Sequence, residues 1–489
     1  MPPLQLLPAI APDFKEPFPA MTVQSLHRQS LPIEANARLN ALTALLASRR
    51  ALQLGVTVMA FFCFMPYPAL NVGGTSALQI GNLLTAVACL PIFHMAWRRW
   101  PLYAYPLIVL PLLLSASKII LTGQGDIDLC LKSVMIWMVS GLALIATQLW
   151  APQFAVELLT GIAVATLVHV GVGIWQFYSF DQGQLPVSWI YVNQSFLSVQ
   201  DNADRIAQYT QRPFGLFPEP SAMACSLAPF VVFWIAHLCG LVRLRREASR
   251  WQRRLFAAAA IGGLGLIILS QSGHAAMTVA SVLLLAIVWV VRCRATKRNY
   301  LIIVAVLGVV LPLLLWGASS ALSTRLGGES EMGNASWEER STSLILGFSQ
   351  LINGGAITAL FGLGVGMSAP TVYHLARIDA VFSVLLVYIY ETGLVGLAAV
   401  GWIGHHMMIL WKALGYDLTF LLFAALWLLG VTVTTSYTQL LTIWLALGWL
   451  TTWPAICMPT SASDSALVIH RTWSPRKFTQ VRTVMRLAR

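Results

Sequence analysis

The sequence predicts an all-α, polytopic membrane protein of about twelve transmembrane helices, and three observations lead there. The 489 residues are 57% hydrophobic and only 10% charged, with a mean hydropathy of +0.71. A soluble domain carries roughly 25% charged residues. Apolar runs of about 20 residues, the length that crosses a bilayer, recur along the chain. Eighteen tryptophans and twelve tyrosines suit the two interfacial belts.

The candidate spans are roughly 51–70, 76–97, 101–120, 131–149, 153–178, 221–242, 255–271, 274–292, 299–317, 381–404, 417–434 and 437–457. Pro106 and Pro111 interrupt the third and are expected to kink it. Almost nothing joins the seventh to the eighth. With the N-terminus inside and the spans alternating, 24 of the 31 lysines and arginines fall on the cytoplasmic side. Twelve spans with both termini cytoplasmic therefore satisfy the positive-inside rule. Residues 1–48 read as a polar cytoplasmic tail, 49–457 as the transmembrane domain, and 458–489 as a basic cytoplasmic tail. The first long apolar run starts at Ala51, too late for a cleaved signal peptide. Two larger loops, about 179–220 and 318–380, face outside.

The net charge of +12 would suggest nucleic acid in a soluble protein. Here the position of the charge matters more than its sum, and no nucleic-acid partner is expected. The tail after Arg471 reads as solvated, with anionic membrane lipid as the alternative contact. The seven cysteines form no Cys-x-x-Cys and mostly sit in apolar runs, so neither a disulfide frame nor a metal site is expected. No Walker lysine loop or dinucleotide fingerprint is present. Twelve of the nineteen acids lie in or beside outer segments, which places any chemistry on that face.

Four pieces point to the outer side. Arg212 to Ser221 reads Arg-Pro-Phe-Gly-Leu-Phe-Pro-Glu-Pro-Ser, and its three prolines disfavour a helix. Such an irregular strip at a membrane boundary needs protein or a wet cavity around it. Its arginine suits an anion and Glu219 suits a proton; the bland alternative is an interfacial ion pair. Ser270-Gln271-Ser272-Gly273-His274 is a polar break between two spans. The third piece is the loop with Arg325 and Arg340, followed by a possible interfacial helix over 341–360. Ordinary ion pairs with Glu329, Glu331, Glu338 and Glu339 would equally account for those arginines. The fourth is Gly362-x-Gly364-x-Gly366, then His374, Arg377, Asp379 and Ser383. With no strand before it, the glycine motif reads as close helix packing. Glu391 lies inside an apolar span, where a carboxylate is functional by default. His169, in the fifth span, reads as a packed polar contact.

In this order the pieces resemble the O-antigen ligase and polymerase superfamily, the Wzy-type polymerases and WaaL-type ligases. The matching marks are Arg212-x-x-Gly215 with Glu219-Pro220-Ser221, then Ser270-x-Ser272-Gly273, then Arg340 ahead of the glycine motif, then Glu391-x-Gly393-x-x-Gly396. The resemblance covers roughly 150–410. It implies a GT-C-like, metal-independent glycosyltransferase, without cofactor, in the bacterial inner membrane and acting on the periplasmic face. Donor and acceptor would be polyprenyl-diphosphate-linked glycans, and a chain-length regulator or flippase is an implied partner. Arg212 and Arg340 would bind the departing diphosphate, and His374 or Glu219 would take the acceptor's proton. Arg205, Arg325, Arg377, Asp379 and Glu391 are the implied substrate-binding residues. The serine-rich break has Gln271 and His274 where the family often has an arginine, and Leu375 follows His374 where the ligases have a small polar residue. These departures, with the Glu-Pro-Ser sequence, favour a polymerase over a ligase that transfers glycan to lipid A–core. A polytopic lipid or sugar transporter and a non-catalytic partner of a polysaccharide assembly complex are the competing classes.

Overall fold

The computed structural model describes residues 49–71, 77–90, 104–187, 212–292, 331–434 and 440–458, apart from 124, 377, 379, 380 and 382; over 331–340 it describes the backbone. Two units separate, Met1–Leu52 and Gln53–Arg489. The helices are α1 (Arg49–Cys63), α2 (Ile80–Cys89), α3 (Ala104–Thr122), α4 (Ile127–Ser179), α5 (Pro220–Leu238), α6 (Arg250–Leu269) and α7 (Gly273–Arg292). They continue with α8 (Glu331–Asn353), α9 (Gly355–Phe361), α10 (Ser368–Ala376), α11 (Val384–Ala413), α12 (Leu418–Leu429) and α13 (Leu441–Ile456). A π-helical turn, Gly430–Thr434, extends α12. Two antiparallel pairs complete the fold: β1 (Ala69–Asn71) with β2 (Ala77–Gln79), and β3 (Arg243–Leu244) with β4 (Cys457–Met458).

The protein is thus mostly helical, and six of these helices are long and apolar enough to cross a membrane. α2, α13 and α12 with its π turn are shorter apolar helices. The candidate span 299–317 lies outside the described residues.

The fourth and fifth candidate spans join in α4, which has 53 residues and a non-helical Phe154 just after Pro152. Side-chain registers give the direction of each half. Trp137 packs on Trp444 and Gln148 bonds Thr451, so the first half runs parallel to α13. Glu157 meets Arg246 and Thr160 meets Gln252, while Gly173 faces Leu266, so the second half runs parallel to α6. α13 is parallel to α5 through Ser226–Thr442 and Phe233–Trp453. α5 is antiparallel to α6 through Trp234–Phe256 and Val231–Gly263. The two halves therefore oppose each other, and the chain reverses near Phe154.

These registers define two ends of the bundle. One holds Arg212, the Ser270 break, the start of α4 and the glycine motif; we call it the Arg212 end. The other, the basic end, holds Arg243–Arg254 and the β3–β4 pair. Between membrane helices the apolar solvent supplies no hydrophobic drive, so close packing and polar contacts hold the bundle. Gly161 lets α4 approach the Thr57 carbonyl of α1, Gly263 admits Val231, and Gly448 lies against Thr147. An aromatic cluster of Phe230, Phe233, Phe420, Phe423, Trp449 and Trp453 fills the space between α5, α12 and α13.

The described part of the second large loop packs on α11. Gly347 on α8 faces Tyr390, and Phe348 packs edge-on against the same ring. α9 then brings Ala359 and Leu360 against Gly393, where α11 breaks. Segments α8 and α9 thus form a helical hairpin packed against the part of α11 around its break. Ile345, Ile352 and Ile357 on it are exposed.

α11 itself is broken at Gly393, with φ 64° and ψ −148°. That conformation is essentially reserved for glycine. A Cβ there would lie 2.5 Å from both the Ala359 carbonyl oxygen and the Gly362 nitrogen. Gly393→Ala should therefore destabilise the protein by roughly 2–5 kcal/mol, from backbone strain and overpacking together. Gly401→Ala, on the same helix with open space around it, should be neutral or slightly stabilising. Thermal unfolding in detergent measures both; equal melting points would contradict the crossing.

Candidate functional site

The strip from Arg212 to Glu219 is irregular, as its prolines require, and it is buried from Pro213 to Pro218. Its backbone polar groups need partners at that depth. Two side chains seven residues apart on one face of α4 supply them. The Gln176 amide oxygen accepts from the backbone nitrogens of Phe214 at 3.0 Å and Gly215 at 2.8 Å. Its NH2 group donates to the Gly215 carbonyl at 2.8 Å. His169 Nδ1 accepts from the Leu216 nitrogen at 3.0 Å, and Nε2 faces the Phe64 carbonyl at 2.7 Å. An imidazole that accepts at Nδ1 and donates at Nε2 is the neutral Nε2–H tautomer. Gly215 turns at φ +59°, and a Cβ there would press 2.9 Å from His169 Nδ1. The strip is a rigid ledge, and the packed-contact reading of His169 agrees with its place.

Arg212 stands at the end of that ledge, half-buried, with Nε donating to the Ser270 carbonyl at 3.2 Å. This bond fixes the guanidinium plane and joins the first two sequence pieces. Ser270 caps α6, its hydroxyl bonding the Ile267 carbonyl at 2.6 Å and Ser272 Oγ at 3.2 Å. His274 opens α7 and is buried near Gly430 of the π turn. Glu219 is the extended N-cap residue of α5, and its carboxylate accepts from Ser221 Oγ.

The glycine motif forms a second centre at the same end. Gly362, Gly364 and Gly366 all have positive φ. The strip crosses α11 where that helix is broken, packing Gly362 on the backbone of Glu391 and Thr392. This is the close packing expected of the motif, made by a strip rather than a helix. The Leu363 nitrogen donates to the Tyr390 carbonyl at 2.7 Å, and Ser115 Oγ donates to the Glu391 carbonyl. Lys118 reaches from α3 to the Gly362 carbonyl at 2.6 Å and Thr358 Oγ1 at 3.2 Å. Glu391 is buried, and Ser368 Oγ at the start of α10 donates to its carboxylate at 2.8 Å. Glu391 therefore anchors α10, the helix that carries His374, and does not stand open to a soluble substrate.

His374 is exposed on α10 beside Tyr373. Arg340 lies on α8, at a position where the backbone alone is described. Arg205, Arg325, Arg377 and Asp379 lie outside the described residues. Among the described residues no group of three or more His, Cys, Asp or Glu is placed to hold a metal ion. Gln176, Lys118 and Ser368 were not singled out from the sequence. The spacing of His169 and Gln176 on one helical face, and a lysine inside an apolar run, were the available signals.

Between α11, α12 and α13 lies a cavity of about 480 Å³. Its wall is almost wholly apolar and runs from Val384 and Val431 near the Arg212 end to Trp411 and Phe420 near the basic end. The Tyr388 hydroxyl on that wall is bonded to the Ile108 carbonyl, and the Trp427 indole to the Ile443 carbonyl. Its upper rim touches the candidate site: Ser383 Oγ donates to the Val431 carbonyl at 3.1 Å, and Gly430 faces His274.

Gln176→Leu removes three hydrogen bonds from buried backbone groups and should cost roughly 3 kcal/mol or more. Gln176→Glu keeps an acceptor for the two nitrogens and should cost less. Melting temperature in detergent ranks them, and a Leu variant as stable as the parent would count against the ledge. No family model, no curated protein and no solved structure matches this chain.

Proposed function

We propose that this protein is an inverting membrane glycosyltransferase that polymerises polyprenyl-diphosphate-linked oligosaccharide repeats into exopolysaccharide, capsule or O-antigen. The observation that carries the reading is a guanidinium fixed on a rigid ledge, at the end of the bundle where a long apolar cavity has one limit, near Val384 and Val431. A lipid diphosphate has those two halves, an anion and a hydrocarbon tail. Ligand pockets of about 300–1,000 Å³ are typical, and this one is apolar along the bilayer direction. On this reading the fold is GT-C-like with twelve spans, set in a bacterial inner membrane with both termini cytoplasmic and the Arg212 end periplasmic. A ligase acting on lipid A–core uses the same donor chemistry and is the nearest variant. A flippase or chain-length regulator would work beside it.

In the reaction an acceptor hydroxyl attacks the anomeric carbon of the donor sugar. The bond from that carbon to the diphosphate oxygen breaks with inversion, and polyprenyl diphosphate leaves. Arg212 and Arg340 meet the charge that grows on the leaving oxygens; arginine's planar fork suits phosphate and stays charged. The acceptor's proton passes to Glu219 or His374. Glu219 follows Arg212 on the same ledge, and His374 is carried by α10.

One feature favours a second reading, a transporter for lipid or sugar. Discontinuous helices with buried polar groups line the binding sites of many secondary transporters, and α11 is broken beside buried Glu391. A reconstituted flux assay without polymer formation would select it.

Arg212→Ala and Arg340→Ala should each slow polymerisation by roughly 10²–10³-fold, as loss of a transition-state anion contact does. Arg212→Lys should keep part of the activity. Purified protein, lipid-linked repeats and a gel for chain growth measure this. Parental chain lengths from both well-inserted alanine variants would remove the site assignment.

A further inference from the structure

The basic end carries a feature that the glycosyltransferase reading leaves unused. Between Arg243 and Arg254 the chain places six arginines and one acid, Glu247. The segment is held rigidly. Arg243 and Leu244 pair with Met458 and Cys457, and the Arg245 nitrogen donates to the Ile456 carbonyl. Two of the six side chains serve this architecture: Arg245 Nη2 donates to the Pro454 carbonyl at 2.8 Å, and Arg246 pairs with the buried carboxylate of Glu157 at 2.5 Å.

Arg243, Arg250, Arg253 and Arg254 are exposed. The nearest opposite charge, Glu247, stands 3.8 Å from Arg253 and is itself 88% exposed, which makes a weak, screened pair. Three of the four lie in the first five residues of α6, whose first turn holds no acid. Cations there oppose both the helix dipole and one another, the reverse of the usual placement. The Ser249–Gln252 capping box satisfies the helix start, and an anion at this place would offset the remaining repulsion. Trp251 projects among the arginines, 58% exposed, and the apolar stretch of α6 begins directly after Arg254. An indole beside guanidinium groups at the start of a membrane-length helix sits at headgroup level.

We infer that Arg250, Arg253, Arg254 and Trp251 form a binding surface for anionic phospholipid headgroups in the leaflet at the basic end. Guanidinium groups clasp the phosphodiester, and the indole lies along the glycerol and upper acyl region. A soluble anion would use the arginines but not the tryptophan, which is why the lipid is the occupant chosen.

The test places purified protein in nanodiscs of equal phosphatidylglycerol and phosphatidylcholine, then extracts it mildly and weighs the retained lipid by mass spectrometry. Retained lipid should be enriched in phosphatidylglycerol by at least about fivefold. The Arg250→Gln, Arg253→Gln, Arg254→Gln triple variant should fall to below about twofold. Equal enrichment in both overturns the inference. A second measurement needs no variant: melting of the parent protein with short-chain phosphatidylglycerol, phosphatidylcholine or inorganic phosphate. A rise with phosphatidylglycerol alone supports the surface. An equal rise with phosphatidylcholine, the full rise with phosphate, or none at all overturns it.

Discussion

The arrangement depends on one constraint: backbone groups inside a bilayer must find partners within the protein. α11 breaks at Gly393, and the break strips the carbonyls of Tyr390 and Glu391 of their helical donors. The Leu363 nitrogen takes the first and Ser115 Oγ takes the second. The strip that supplies Leu363 is itself irregular, so its Gly362 carbonyl needs a donor, and Lys118 provides one. Each irregularity answers another. Glycine at 362 and 393 is the steric condition for the two to come close enough.

The Arg212 strip meets the same constraint by a different route. Its partners are side chains of an unbroken stretch of helix, Gln176 and His169, and not a second irregular strip. One amide there satisfies three backbone atoms, which is nearly its full hydrogen-bonding capacity. Rigid irregular backbone at one end of the bundle is what lets short polar segments present side chains without flexible loops. A guanidinium whose plane is set by a carbonyl bond loses less freedom on meeting an anion than one on a mobile loop.

Much of this was legible in the sequence, for definable reasons. Apolar length marks a membrane helix whatever its neighbours, so α3, α5, α6 and α7 fell close to the expected ranges, while α11 runs to Ala413, past the expected end at 404. Proline lacks a donor wherever it stands, so the irregular Arg212–Glu219 strip was readable too. What was not readable came from pairing between distant segments. The approach of Gly362 to Gly393, the reach of Lys118, and the hold of Ser368 on Glu391 each need two elements to meet. A lone Gly-x-Gly-x-Gly is compatible with many partners, and its sequence does not say that the partner is a broken helix. Within the 318–380 stretch, expected as an outer loop, a polar first half precedes an apolar second half that was read as an interfacial helix over 341–360. That second half, from Ser341 on, packs beside Tyr390.

The buried carboxylate bears on how the two functional readings differ. A transporter would need Glu391 to face the substrate route, and its carboxylate is instead tied to Ser368 at the foot of α10. A polymerase needs a fixed platform on which a lipid tail and a glycan are held while a second glycan approaches. The apolar cavity ends near Val384 and Val431, and Ser383 links those two rims. A tail lying there would bring its diphosphate to the level of the Arg212 ledge, because α11 and the π turn after α12 both reach that end. The break in α11 then serves as scaffolding: it lets the α8–α9 hairpin and the glycine strip pack on that helix. On the proposed reaction, the irregular backbone at Glu391 would be structural and that at Arg212 would hold the group that meets the diphosphate.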